Sequence, residues 1–129
     1  MGYTRKNWGF LCNCSVNNLL LRIRDLIWPV ISLGARSPEW SKVRNQFLRE
    51  NPYCAVCGGS KNLVAHHIKP FHLFPELELD TENLIPLCEA KKYGVNCHLF
   101  VGHLGNFRRF NEHVVADAIA WSAKLKRVG

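Results

Sequence analysis

Apolar side chains recur at helical spacing directly after a favourable helix start. The apolar positions are Trp40, Val43, Phe47 and Leu48. Residues spaced three or four apart lie on one face of a helix and can be buried together. Ser37 is a good N-cap and Pro38 suits the first helical position. Pro52 opposes continuation beyond Asn51, so we predict a helix that ends by that residue.

Two short apolar runs predict a pair of β-strands. The sequence LVAHHI covers residues 63–68, and LIPLC covers residues 84–88. Between them, PELELDTEN at residues 75–83 is polar and acidic, which favours a solvated loop whose carboxylates are not metal ligands. Neighbouring side chains on a strand point to opposite faces. His66 and His67 therefore cannot share one role.

The last third of the chain predicts two more helical segments. CHLFVGHLGNF, from residue 97, indicates a helix that Gly102 and Gly105 weaken. A capped amphipathic helix is predicted from Asn111 onwards. Its apolar side would hold Val114, Val115, Ala118, Ile119, Trp121 and Leu125. The combination of helices with a short hairpin predicts an α+β domain.

The N-terminal part contains the apolar run LLLRIRDLIWPVI at residues 19–31. It is shorter than the roughly 20 apolar residues that a membrane span needs, and it contains three charges. We predict an amphipathic helix that docks on the core or on a protein partner. The predicted organisation is an N-terminal amphipathic extension, residues 1–35, followed by one domain, residues 36–129.

Four cysteines form two pairs that could surround one metal ion. Cys54 and Cys57 are separated by two residues, and Cys88 and Cys97 by eight. Four thiolates are typical of a closed structural zinc site. A disulfide framework or buried free thiols are the alternatives, and no secretion signal is apparent that would favour disulfides. The CNC sequence at residues 12–14 is too tight for a zinc knuckle, so its cysteines are expected to be free.

The chain is basic as well as short. Its 129 residues are typical of one globular domain, and 17 Lys and Arg against 10 Asp and Glu give a net charge of +7. Such a charge attracts polyanions, nucleic acids among them, through a long-range field. Basicity alone does not establish nucleic-acid binding, because many soluble proteins with this charge bind none.

The order of the cysteine, histidine and asparagine motifs resembles the HNH endonuclease family. The matching segments are CAVC at 54–57, HH after eight further residues, ENLIPLC at 82–88 and CH at 97–98. The motifs cover about residues 54–103, or about 37–121 with the flanking helices. The order of several elements makes this resemblance specific.

The resemblance implies a ββα-metal fold, also called the HNH or His-Me finger fold. Its core is a two-stranded hairpin plus a helix, here with flanking helices and a structural zinc site. One departure is the insertion EAKKYGVN between Cys88 and Cys97, where the family has a compact C-x2-C-H. This insertion makes Cys88 the least constrained of the expected zinc ligands.

The resemblance also implies roles for individual side chains. His66 would bind a catalytic metal ion, and His67 would act as general base on the attacking water. A neutral imidazole suits that role because its ordinary pKa, about 6.5, lies near working pH. Asn83, expected on the second strand, would bridge backbone groups across the loop and fix the orientation of His67.

His98 and His103 would complete the ligands of the catalytic ion. They are five positions apart, whereas four would stack them on one face of an α-helix. Gly102 would permit a local break that restores convergence. Imidazole ligands favour zinc or nickel, while family members often use Mg²⁺ or Mn²⁺. His72 and His113 are expected to be ordinary surface or core residues.

The implied function is a metal-dependent endonuclease that nicks or cleaves DNA with low sequence specificity. The expected phosphate contacts are Arg36, Lys42, Arg44, Arg49, Lys69, Arg108 and Arg109. No separate base-reading module is apparent. Free-standing proteins of this family occur in bacteria and bacteriophages, which implies the cytoplasm of a bacterial or phage-infected cell. The alternative is a zinc-stapled DNA-binding module without nuclease activity.

Overall fold

A computed structural model describes residues 35–91 and 95–128 of the chain. The predicted amphipathic helix, its expected protein partner and the CNC cysteines fall on residues 1–34, outside this part. The extension and the domain boundary at residue 36 therefore stay predictions. Among the described helices, none combines the length and the apolar character of a transmembrane segment.

Helix α1 spans Trp40–Glu50. It begins two residues later than predicted, because residues 37–39 form a turn. Ser37 Oγ accepts a hydrogen bond from the Glu39 backbone N–H at 3.2 Å, and the Trp40 N–H donates to the Ser37 carbonyl at 3.1 Å. The predicted C-terminal end is confirmed. The backbone and side-chain N–H groups of Asn51 both donate to the Phe47 carbonyl at 2.9 Å.

The predicted hairpin is confirmed as an antiparallel pair, β1 (Leu63–His67) and β2 (Leu84–Cys88). In its register His66 lies opposite Ile85, and His67 lies opposite Leu84. Side chains directly opposite each other in an antiparallel pair share a face. The register therefore places His66 with Ile85 on one face and His67 with Leu84 on the other.

Each face of the hairpin packs against a different part of the core. Leu84 packs with Trp40 and Phe47 of α1. Ile85 and Leu87 belong to a second cluster, together with buried residues of the cysteine segments and of the C-terminal helices. Strand β2 is buried along its whole length, as expected for a strand covered on both sides.

The predicted helix after Cys97 is a short π-helix, His98–Gly102. It ends where the backbone turns left-handed, at Leu104 (φ 52°) and Gly105 (φ 80°). The C-terminal helix α2 spans Val114–Val128 and so begins three residues after the predicted Asn111. Two residues placed on its apolar side are exposed, Ile119 at 62% and Trp121 at 37%, so only part of that face is buried.

The four predicted zinc ligands lie together at one end of the hairpin. The sulfur atoms of Cys54, Cys57, Cys88 and Cys97 are all within 4.8 Å of one another. The Cys57 and Cys88 sulfurs are 3.5 Å apart. Tetrahedral zinc with Zn–S bonds of 2.3 Å would separate its ligand sulfurs by about 3.8 Å. The cluster therefore has the dimensions of a zinc site, and the insertion before Cys97 does not displace Cys88 from it.

The knuckle backbone and the thiol pKa values also fit a cation. Gly58 has a left-handed φ of 68°, and its N–H donates to the Cys54 carbonyl at 2.9 Å. A hydrogen bond from Cys97 lowers the pKa of Cys54 to about 5. Burial, and then the charge of Cys54, raise the pKa of Cys88 to about 11. Four crowded thiols cannot all ionise unless a cation compensates their charge.

We predict that Cys57→Ser weakens both zinc retention and the fold. A serine hydroxyl does not replace a thiolate as a zinc ligand. Loss of a structural metal is one of the changes that can lower the free energy of unfolding by more than about 4 kcal/mol. Zinc content by atomic absorption and urea denaturation measure the two effects. Cys12→Ser, at a cysteine predicted to be free, makes the same chemical change and is expected to alter neither. Wild-type protein without bound zinc would contradict the assignment.

Candidate active site

Three histidines converge on one side of the hairpin. His66 lies on β1, His98 begins the π-helix and His103 follows it. One nitrogen from each ring lies within 4.8 Å of the others. The Nε2 atoms of His98 and His103 are 3.2 Å apart. Two imidazole nitrogens on one tetrahedral zinc ion would be about 3.3 Å apart, so this spacing fits a shared metal ion.

The π-helix explains why histidines five positions apart can converge. Hydrogen bonds in a π-helix join residues five apart, rather than four as in an α-helix. Side chains at positions i and i+5 therefore come close to alignment. A spacing of five departs from α-helical stacking. The local change of helix type removes the difficulty for His98 and His103.

Hydrogen bonds fix which nitrogen of each ring remains available. His98 Nδ1–H donates to the Glu89 carboxylate at 3.0 Å, and His103 Nδ1–H donates to the Arg109 carbonyl at 2.7 Å. In the neutral rings, Nε2 is then a lone-pair acceptor on both. Two such acceptors facing each other at 3.2 Å repel unless a cation or a proton lies between them.

His66 is the buried member of the cluster. Its Nε2 is buried and has no hydrogen-bond partner in the described part of the chain. Burial, followed by the neighbouring His98 and His103, lowers the pKa of His66 to about 3. The ring is therefore neutral near pH 7. A buried polar nitrogen without a partner is unfavourable unless a ligand satisfies it, as a metal ion would.

Gly102 allows the π-helix to approach His66 closely. A Cβ atom at this position would lie 3.1 Å from Cε1 of His66 and 3.2 Å from Cδ1 of Leu87. Both contacts are shorter than ordinary van der Waals separations. Gly102 thus serves the site through its lack of a side chain, and not only as the local break that the sequence predicted.

His67 occupies a separate environment on the opposite face. Its ring stacks on Trp40 with centroids 4.5 Å apart. Its Nε2–H donates to the Glu78 carbonyl at 3.0 Å, which leaves Nδ1 as the basic nitrogen of the neutral ring. Burial lowers the pKa of His67; the nearby Arg36 acts in the same direction, and the bond to Glu78 opposes them.

Asn83 ties the long hairpin connection together. It ends a 3-10 helix, Thr81–Asn83, directly before β2, so its predicted position on the strand is wrong by one residue. Its Oδ1 accepts from the Lys69 N–H at 2.9 Å, and its Nδ2 donates to the Lys69 carbonyl at 3.0 Å. A weaker bond reaches the Leu77 carbonyl at 3.4 Å. The predicted bridge across the loop is present.

Glu78 was expected in a solvated loop, and that expectation is wrong. The residue is only 5% exposed. Its Oε2 accepts from the Ser37 N–H at 3.0 Å, and Arg36 lies 3.7 Å from its Oε1. The Arg36 guanidinium also lies over the Trp40 ring, at 5.0 Å. Glu78 thus joins the segment before α1 to the loop that holds His67.

The predicted DNA-contact residues are dispersed and differ in their surroundings. Arg36 is paired with Glu78, Lys42 lies 3.9 Å from Glu39, and Arg44 bonds the side chain of Asn45. Lys69 is exposed beside the Phe74 ring. The remaining three are exposed and have no ion pair within the described residues: Arg49, Arg108 and Arg109.

Sequence reasoning missed several neighbours of the histidines. Glu89 contacts His98, and Trp40 stacks on His67. Phe107 is 58% exposed, and its ring centroid lies 5.0 Å from that of His103 and 5.6 Å from that of His98. Only Glu89 had a sequence signal, since it follows Cys88 directly. The other contacts depend on tertiary packing that spacing does not encode.

Comparison with known protein families agrees with this geometry. Residues 54–99 match the family model described as HNH endonuclease. Comparison with curated proteins and with solved structures returned no match. The matched segment includes the four clustered cysteines, both strands of the hairpin and the first residues of the π-helix. Residues 54–99 of this chain are therefore similar to the HNH endonuclease domain.

Proposed function

We propose that the protein is a metal-dependent endonuclease that nicks or cleaves DNA phosphodiester bonds with low sequence specificity. The observation that carries this proposal is the convergence of three imidazoles, of which His66 has a buried Nε2 without a hydrogen-bond partner among the described residues. The match of residues 54–99 to the HNH endonuclease family model supports it independently. The opposite orientation of His67 supports a second chemical role beside metal binding.

His66, His98 and His103 would hold the catalytic ion. Three protein ligands leave coordination positions open, as a catalytic site requires. A divalent ion bound there, such as Mg²⁺, Mn²⁺, Ni²⁺ or Zn²⁺, would supply positive charge to the scissile phosphate and to the departing 3′ oxygen. The hydrogen bonds to Glu89 and to the Arg109 carbonyl orient two of the rings before any ion arrives. The separate four-cysteine cluster would hold structural zinc.

His67 is proposed as the general base. With Nε2–H held by the Glu78 carbonyl, Nδ1 is free to take a proton from water. As that proton leaves, the water oxygen bonds to phosphorus, the bond from phosphorus to the 3′ oxygen breaks, and the departing 3′ oxygen takes up a proton from solvent. The products would carry 5′ phosphate and 3′ hydroxyl ends. Stacking on Trp40 limits the ring's rotation, so the base is positioned before substrate binds.

Asn83 is proposed to act through the scaffold rather than by touching substrate. Its amide clamps both backbone groups of Lys69 and also reaches Leu77. Leu77 immediately precedes Glu78, whose carbonyl holds His67. Asn83 would therefore orient the base through the loop.

DNA binding would rely on contacts to phosphate. Arg49, Arg108 and Arg109 are exposed and have no ion pair within the described residues, so they are favoured among the predicted contacts. Arg36 is less available because Glu78 and Trp40 already hold it. Contacts of this kind carry little sequence information, and binding should weaken steeply as salt rises.

We expect His67→Ala to reduce plasmid cutting roughly 100- to 10,000-fold, the usual contribution of a general base. Relaxation of supercoiled plasmid, titrated with Mg²⁺, Mn²⁺, Ni²⁺ and Zn²⁺ in turn, measures the rate and identifies the effective ion. DNA affinity should remain near that of the wild type. His72→Ala is the matched control, because His72 is exposed and belongs to neither cluster.

Two results of this experiment would refute parts of the proposal. Equal cutting by His67→Ala and wild type would remove His67 from the base role while leaving the nuclease assignment intact. Binding of DNA without cutting under every ion would instead favour the zinc-stapled DNA-binding module.

Glu89→Ala should lower the affinity of the three-histidine site for metal by roughly 10- to 100-fold, the usual effect of removing a partner that orients a ligand. Its carboxylate accepts from His98 Nδ1–H and so keeps Nε2 available. Calorimetric titration of Ni²⁺ into zinc-loaded protein measures the affinity without any cutting assay. Glu112→Ala removes an exposed carboxylate for comparison. Unchanged Ni²⁺ affinity in Glu89→Ala would exclude this role.

A further inference from the structure

We propose that Phe107 is a stacking platform for an unstacked nucleobase next to the scissile phosphate. The preferred substrate would then be DNA with an unpaired nucleotide at the cutting position, such as a mismatch, bulge or single-stranded segment. This inference rests on the proposed nuclease function and specifies its substrate class. It assigns specificity to a residue that lies outside the family match, which ends at residue 99.

Phe107 lies beside the three-histidine cluster and is largely exposed. Its ring contacts both His98 and His103, with centroid separations of 5.6 and 5.0 Å. More than half of its surface, 58%, nevertheless remains exposed. A ring that served only to shield the histidines from water would be expected to bury most of its own area. The exposed part is instead available to a flat ligand beside the proposed metal ion.

The loop that carries Phe107 is held by its own hydrogen bonds. The Gly105 N–H donates to the Leu99 carbonyl at 2.9 Å, and the Asn106 N–H donates to the His103 carbonyl at 3.0 Å. Asn106 Oδ1 accepts from the Arg108 N–H at 2.9 Å. The aromatic ring therefore projects from an ordered turn, and little conformational entropy remains to be lost when a base stacks on it.

Charge identifies the occupant as nucleic acid rather than an apolar protein segment. Arg108 and Arg109 follow Phe107 directly, and both are exposed without an ion pair in the described part of the chain. An aromatic ring beside free guanidinium groups matches the alternation of base and phosphate along a single strand. Paired bases in an intact duplex stack on each other and do not expose a face to such a ring.

Equilibrium binding to two labelled oligonucleotides tests the proposal. One is a short intact duplex, and the other is the same duplex with an unpaired central segment. Fluorescence anisotropy at fixed salt gives both dissociation constants. Every protein in the comparison carries His67→Ala so that cutting does not interfere, and the protein with this change alone is the parent. The parent protein is expected to bind the unpaired substrate more tightly. Phe107→Leu should bind the unpaired substrate roughly 5- to 100-fold more weakly, the effect expected when a base no longer stacks on an aromatic side chain. Its affinity for the intact duplex should stay within about twofold of the parent.

Two further variants separate stacking from other roles. Phe107→Trp retains an aromatic face and should keep the preference, and this variant answers the question if Phe107→Leu folds poorly. Phe100→Leu is the matched control, because Phe100 is also an exposed aromatic ring but contacts Trp121 instead of the histidines. It should behave like the parent.

The outcomes decide between the inference and its rivals. Equal affinity of the parent for both oligonucleotides would overturn it, as would an unchanged preference in Phe107→Leu or its loss in Phe107→Trp. Weaker Ni²⁺ binding by Phe107→Leu, with the preference intact, would assign Phe107 to shielding of the metal site. A failure of the nuclease assignment would appear separately, as absence of cutting by the protein with His67 in place.

Discussion

The register of the β1–β2 pair is the constraint on which the rest of the site depends. Side chains alternate along a strand with a period of two, so a slip of one residue exchanges its faces. In the observed register His66 lies opposite Ile85, facing the π-helix, and His67 lies opposite Leu84, facing α1. Burial of both faces makes a slip unfavourable, because apolar residues of β2 would have to exchange packing partners. The same packing that stabilises the hairpin therefore separates the two imidazoles.

The four-cysteine cluster and the three-histidine cluster are connected by the chain itself. Cys88 directly precedes Glu89, and Cys97 directly precedes His98. Glu89 and His98 are in turn joined by a hydrogen bond of 3.0 Å. Fixing the sulfur atoms around an ion would also fix the two backbone positions from which this bonded pair projects. An ion held by the four-cysteine cluster would thus support the geometry of the histidine cluster through the chain.

The sequence was sufficient for features that depend on local pattern or motif order. It predicted α1, both strands, the cysteine cluster and the convergence of His66 with the two later histidines. It failed where tertiary contacts override local preference. The acidic composition of residues 75–83 predicted solvation, yet Glu78 is buried, with its Oε2 bonded to the Ser37 N–H and the Arg36 guanidinium 3.7 Å from its Oε1. No local pattern could identify those partners, which lie about forty positions earlier in the chain.

The π-helix shows how one local irregularity meets two requirements at once. The π-helix brings His98 near His103, which an α-helix of the same sequence would separate around its axis. The helix must also lie close to β1 for His66 to join them, and Gly102 permits that approach. A π-helix is otherwise uncommon, because its geometry is less favourable than that of an α-helix. Its presence between two histidines of the proposed metal site is consistent with selection for the site over local backbone stability.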